Sequence, residues 1–227
     1  MTNSAVQTIA KPRKRSKRGL EAEQKLLEAA NTVFWTNGFA GCTIAQIIEE
    51  SGLSVGSFYH QFSDKRELLD RAKQNVLADF RKSMGNFDLS RAGNETLFQL
   101  FHALTMSGRD LIASNRGFYR AISEIAQNQA EGYGDLRIIG VTVIAGVAHA
   151  IDEYADQLVT PPSRETVAHA VQLMTMSVLQ TELGMGPQFP TDVDEFANVI
   201  ARAACGVLGY QGPTDIISPA TTQGVIQ

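Results

Sequence analysis

The sequence is poor in cysteine. Cys42 and Cys205 are the only two in 227 residues, they lie far apart, and there is no CxxC and no Cys/His cluster. That excludes a disulfide framework, gives no zinc-ligand spacing, and fits a reducing cytoplasm. The four histidines are scattered, so neither a metal nor any other cofactor is expected. Charge is thin as well, at 19%, against 44% apolar residues, which excludes general disorder and leaves enough for a large core. The longest apolar run, Ile138 to Ile151, is 14 residues and includes Thr142 and His149. It is too short to span a bilayer and reads as a buried helix through the middle of a domain. The opening residues lack an apolar h-region, so no secretory signal is expected. No segment alternates β-branched and polar residues between turns, and no repeat of fixed period occurs.

What is present is helical period almost throughout. Leu26, Leu27, Ala30, Val33 and Phe34 fall on one face of a first helix, which Asn37-Gly38 should stop. Thr43, with Gln46 three residues on, forms a capping-box pattern before a short helix ending at Ser51-Gly52. Ser54 can cap a third helix to about Gln61, and Ser63-Asp64 a fourth to about Met84. Further helices are expected near 94–115, 116–129, 135–159, 163–184 and 191–210, with Gly and Pro at the breaks. The fold class is all-α with about nine helices. Four regions are expected: a basic disordered arm (1–18), a helix-turn-helix domain (19–66), a larger helical domain (67–210) and a flexible tail (211–227).

The stretch Gly52 to Gly56, GLSVG, matches the G-x-S-x-G nucleophile elbow, which would make Ser54 a catalytic serine. An elbow needs a strand before the serine, and a capped helix stands there instead. No catalytic residue is therefore assigned, and a serine hydrolase is only a remote alternative. The same residues make a helix-turn-helix, with Gly52 at a turn that favours positive φ and Leu53 tucked between the helices. Phe58 and Phe62 would form the buried edge of the third helix, with Val55 partly alongside. Gly56 in the first turn costs up to about 1 kcal/mol relative to alanine. Close approach to a phosphate chain explains that cost better than folding does. The capped start of this helix also offers N–H groups and a positive dipole end suited to phosphate.

The stretch Thr43 to Leu69 resembles the N-terminal DNA-binding motif of the TetR family of transcriptional regulators. The matching positions are Thr43, Ile44, Ile47, Gly52, Ser54, Gly56, Tyr59, Phe62, Lys65 and Leu68, with Phe39 and the first helix ahead of them. The specific resemblance covers about residues 20–70; beyond it only length and architecture agree. It implies phosphate contacts from Thr43, Tyr59 and Lys65, a phosphate or base contact from His60, and base reading by Ser54, Val55 and Ser57 beside Gly56. A cation in the first turn of a helix opposes the dipole, which makes a purely structural Lys65 less attractive. Residues 1–18 carry six basic groups and no acid, while the rest carries fourteen basic and twenty-four acidic groups. Arg13, Arg15, Lys17 and Arg18 of this arm are candidates for the minor groove.

In the family, the second domain binds a ligand and dimerises. The pocket candidates are Phe98, Phe101, His102, Met106, Phe118, Tyr119, Ile144, His149 and Met174, and few charges lie among them, which favours a hydrophobic effector. The dimer candidates are two apolar stripes: Val167, Val171, Met174 and Val178, then Phe196, Val199, Ile200, Ala203 and Val207. The reading is a cytoplasmic, homodimeric repressor released from a palindromic double-stranded DNA operator by a small hydrophobic molecule, with no membrane partner. The alternative is a regulator without such an inducer, controlled by a protein partner or acting as an activator.

Overall fold

Ser16 opens the first helix, its hydroxyl accepting from the Gly19 N–H, and a computed structural model describes the chain from there: residues 16–128, 134, 137–185 and 192–214. The expected sites Arg13 and Arg15, and most of the arm and tail, lie outside the described residues. The first helix, α1 (Lys17–Gly41), includes Lys17 and Arg18, so the expected arm boundary at residue 18 moves back. Gly38, at φ 71° and ψ 176°, breaks the helix where Asn37-Gly38 was expected to stop it.

Among the described residues, eight more α-helices follow: α2 (Ile44–Ser51), α3 (Val55–Gln61), α4 (Lys65–Asn86), α5 (Leu97–Ser114), α6 (Arg116–Asn128), α7 (Arg137–Ala150), α8 (Arg164–Glu182) and α9 (Val193–Val207). A 3-10 turn, Ile151–Gln157, extends α7. The only strand-like pairing among those residues is a single bridge between Leu158 and Tyr210. Side-chain caps hold the helix starts: Thr43 and Thr96 form capping boxes, and Ser54, Asp64, Ser163 and Asp192 each accept a backbone N–H. Replacing such a cap by alanine typically costs about 1 kcal/mol.

Two apolar clusters organise these helices. The first is built from Leu26, Phe34, Ile47, Phe58, Phe62, Leu68 and their neighbours, and it takes in Phe118, Ala121 and Ile122 of α6. The second is formed by α4, α5, α7, α8 and α9 with the 3-10 turn and Tyr119 of α6. The domains are thus joined by packing as well as by α4: α6 lies in the second domain's sequence but fills the first domain's core.

The expectation that α7 runs buried through the middle of its domain is corrected. Only Val143, Val147 and Ala150 of α7 are buried, while Ile138 and Val141 are exposed. With its 3-10 extension, the stretch Arg137–Gln157 is long and apolar enough to cross a bilayer by length and composition. Here its buried residues, Ile151 and Tyr154 included, join the second core. Apolar composition led to the wrong expectation because it does not say how many faces of a helix have neighbours.

Candidate nucleic-acid interface and effector cavity

The helix-turn-helix is assembled from short-range bonds. Thr43 N donates to Gln46 Oε1 (2.9 Å), and Gln46 N donates back to Thr43 Oγ1 (3.3 Å). Gly52 ends α2 in the left-handed region, at φ 65°. Ser51 Oγ accepts from Leu53 N (3.2 Å), which shapes the turn. Ser54 Oγ then accepts from Ser57 N (3.2 Å) and lies 2.9 Å from Ser57 Oγ. A helix precedes Ser54 and its hydroxyl is engaged as a cap, so the elbow geometry is absent.

Phe58 and Phe62 anchor α3 in the core, leaving Ser54, Val55, Gly56, Tyr59 and His60 exposed, and Ser57 half-buried, along one outer strip. Val55, expected to pack partly inward, opens α3 and is 58% exposed. The Tyr59 ring stacks edge-on against Phe58 (5.3 Å between centroids) while the residue stays 57% exposed. Thr43 is exposed at the start of α2. Gln61 Nε2 donates to Gly19 O (3.2 Å), so the start of α1, with exposed Lys17 and Arg18, is tied to the end of α3.

Lys65 is placed differently from the expectation. Its ammonium donates to Phe39 O (2.7 Å) and Cys42 O (2.9 Å) and sits 4.7 Å from the centre of the Phe39 ring. Lys65 opens α4, but its charge reaches the carbonyl end of α1, where the dipole favours a cation. The argument against a structural lysine fails because the relevant helix end belongs to a different helix. Lys65 fixes the α1–α2 junction, and with it the Thr43 cap. Lys65→Met should therefore weaken DNA binding without changing its salt slope, since a lost phosphate contact would lower that slope by about one. It should also cost stability, about 1–3 kcal/mol for carbonyls left without their donor. Titrations at several salt concentrations, with thermal melts, check both.

In the second domain a cavity of about 150 Å³ opens between α4, α5, α6, α7 and α8. Its wall is largely apolar and carries no charged side chain. Of the nine pocket candidates, Tyr119 and Met174 line it. Phe98 and Phe101 are wholly buried in the core beside it. Phe118 faces the other way, against Phe34 (6.0 Å between ring centroids). His102 Nε2 lies 3.0 Å from Asp194 of α9, Met106 and Ile144 are half-buried off the cavity, and His149 is exposed. The lining that sequence reasoning missed includes Phe80 and Met84 of α4, Gly108 and Leu111 of α5, and Leu179 of α8. Which apolar residues border a gap depends on where packing fails to close, and periodicity does not encode that.

Next to the cavity, Glu182 is buried and receives Arg109 Nε (2.5 Å) from α5 and Arg116 Nε (3.0 Å) from α6. Burial works to raise its carboxyl pKa, but the hydrogen bonds and charges of the two arginines outweigh that and hold it below the usual range. Arg116 also lies over the Trp35 ring of α1, at 5.7 Å. From α6, Arg120 donates to Trp35 O, and Glu124 accepts from Phe39 N (2.6 Å) and Ala40 N (3.0 Å). One flank of α6 therefore lines the cavity while the other holds the end of α1.

The dimer candidates also need correction. Val167, Val171, Met174, Val178, Phe196 and Ile200 are buried in this chain's own core. Val199, Ala203 and Val207 remain outward, and the exposed apolar residues beside that role on α8 are Leu173 and Met176. The strongest apolar stripe of each helix goes to the chain's own core, so the stripe alone does not mark an interface.

Fold and site together define a two-domain helical protein with an N-terminal helix-turn-helix. Residues 26–72, from within α1 to within α4, match the model of the bacterial regulatory proteins of the tetR family. The chain is 27% identical over 122 residues to the HTH-type transcriptional regulator TtgR of Pseudomonas putida, covering 51% of this chain and 54% of that one. It is 43% identical over 49 residues to YfiR of Bacillus subtilis, an uncharacterized HTH-type transcriptional regulator, covering 22% and 24% of the two. The chain spans about half the length, or less, of the curated relatives it matches. A solved TetR-like transcriptional regulator from Rhodococcus shares the fold, with TM-score 0.61, 20% identity, and 86% and 100% of the two chains covered.

Proposed function

We propose that the protein is a cytoplasmic, homodimeric repressor that binds a palindromic double-stranded DNA operator and leaves it when a small, largely apolar molecule fills the cavity in the second domain. The observation that carries the DNA half of this reading is the outer strip of α3. Val55, Gly56, Tyr59 and His60 are exposed while two phenylalanines hold the helix from behind, as a helix entering a major groove requires. Small side chains at Ser54, Val55 and Ser57 favour thymine-methyl and water-mediated contacts over bidentate arginine readout.

Dimerisation is supported by the unpartnered apolar residues Leu173, Met176, Val199 and Val207 on α8 and α9, which two copies can bury as a four-helix contact. The ligand half is supported by the uncharged cavity and by its sharing α6 with the grip on α1. The same cavity favours this reading over a regulator without an effector. A ligand shifts the equilibrium only by its differential affinity for the two states.

Footprinting of the purified protein on genomic DNA should give two symmetric half-sites about one helical turn or more apart. Val199→Glu with Val207→Glu should halve the mass by light scattering and abolish the footprint. A dimeric double variant would refute the interface, and a single asymmetric site would refute the operator model.

A further inference from the structure

Tyr119 is 5% exposed and lines the cavity, yet its phenol has no hydrogen-bond partner among the described residues. The residue is buried, but its oxygen is not one of the sealed polar atoms left without a partner, so it keeps open space into which it can donate a hydrogen bond. The other hydroxyls on the wall differ. Thr175 already donates to Val171 O (3.0 Å), Ser83 is exposed, and Ser107 is half-buried. Among the described residues, Tyr119 is thus the buried residue on this wall whose hydroxyl has no acceptor. Nothing on the wall neutralises a ligand charge, since none of the lining residues is Asp, Glu, Lys, Arg or His.

We infer that the effector is an uncharged, mainly apolar molecule carrying a hydrogen-bond acceptor such as a carbonyl or ether oxygen, and that the Tyr119 phenol donates to that acceptor and sets specificity for it. This rests on the reading of the cavity as an effector site. Burial raises the phenol's pKa, which keeps it protonated and therefore a donor. A carboxylate would bring a charge into an apolar site without a cation, and an ammonium would meet no acid. A pure hydrocarbon would fit but leave the phenol unpaired. At about 150 Å³ the cavity suits a single-ring compound, because an apolar cavity of about that size accepts benzene.

The position also explains how such a bond reaches the DNA-binding half. The backbone N–H of the preceding residue, Phe118, donates to Asn31 Oδ1 of α1 (3.2 Å), and the following residue, Arg120, bonds the Trp35 carbonyl. A ligand that draws Tyr119 inward therefore pulls on the turn of α6 that is fastened to α1.

Three molecules of nearly equal shape separate the possibilities: acetophenone (acceptor), isopropylbenzene (no acceptor) and benzoate (charged acceptor). Binding to the full chain is measured by ligand-observed NMR and calorimetry, for the wild type and for Tyr119→Phe. Acetophenone should bind roughly three- to tenfold tighter than isopropylbenzene, the worth of one net hydrogen bond. Benzoate should be the weakest. Tyr119→Phe should erase the acetophenone preference while isopropylbenzene still binds. Equal wild-type affinities for acetophenone and isopropylbenzene, or tightest binding of benzoate, would overturn the inference and leave the effector site standing. A preference that survives Tyr119→Phe would overturn the role of Tyr119. If none of the three binds, the effector-site reading falls and this inference falls with it.

Discussion

Gly56→Ala should give a protein that folds at least as well as the parent and binds its operator on the order of tenfold or more weakly, a loss of about 1.4 kcal/mol or greater. The expectation comes from what surrounds Gly56. A Cβ built there meets only Ser54 Oγ, at 3.9 Å, which is ordinary contact, and Gly56 lacks the positive φ that marks Gly52. Inside the chain, then, nothing requires a glycine. Alanine should even stabilise the helix, by up to about 1 kcal/mol. On the exposed strip of α3, the reason proposed for a glycine here is close approach of the DNA backbone or a base edge. Thermal melts and gel-shift titrations of the same preparations check the two halves together. A variant that is more stable and binds equally well would remove Gly56 from the interface. Gly52→Ala makes a useful contrast: it should destabilise, because the left-handed backbone is strained by any side chain, although the space around it is open.

Gly117→Ala should do the opposite, damaging the fold where α6 packs against α1. The α6 backbone passes so close to α1 that a Cβ at Gly117 would overlap the Asn31 carbonyl oxygen and lie 2.9 Å from the Trp35 nitrogen. Those atoms are main chain within a helix and cannot give way as a flexible side chain would. To accept a methyl group, α6 must retreat. That strains the bonds of Asn31 with Ser114 O (3.1 Å) and Phe118 N (3.2 Å) and partly empties the Phe118 site beside Phe34. Overpacking of this kind costs typically 1–3 kcal/mol. The melting temperature should fall, and operator affinity should fall even without an effector, because the end of α1 loses its support. Wild-type melting and binding in Gly117→Ala would show that α6 is not the clamp described here.

The helix-turn-helix was legible in the sequence because its determinants are local. Thr43 and Gln46 are three residues apart, Gly52 acts on its own backbone, and Ser54 caps a helix that starts at the next residue. The first helix, with its stop at Gly38, is legible for the same reason. What the sequence hid depends on partners distant along the chain. Lys65 resembles a phosphate ligand until its carbonyl partners, 26 and 23 residues away, are seen. Glu124, an ordinary acid on a helix, proves to bond the backbone of residues 84 and 85 positions earlier. Phe118 and Tyr119 are adjacent aromatic residues that composition treats alike. One belongs to the core of the helix-turn-helix half and the other to the second core and its cavity, and only the phase of α6 between two neighbours separates them.

The ownership of Phe118, Ala121 and Ile122 by the first apolar cluster bears on how proteins of this construction can be recombined. A hybrid regulator made by cutting between α4 and α5 would carry a reading head whose core lacks one wall, together with a foreign α6 fitted to another head. The natural unit of exchange is discontinuous: the first four helices and the surface of α6 that faces them. Hybrids that graft a new reading surface onto this fold should therefore keep α1 and α6 from one parent, and change only the exposed strip of α3.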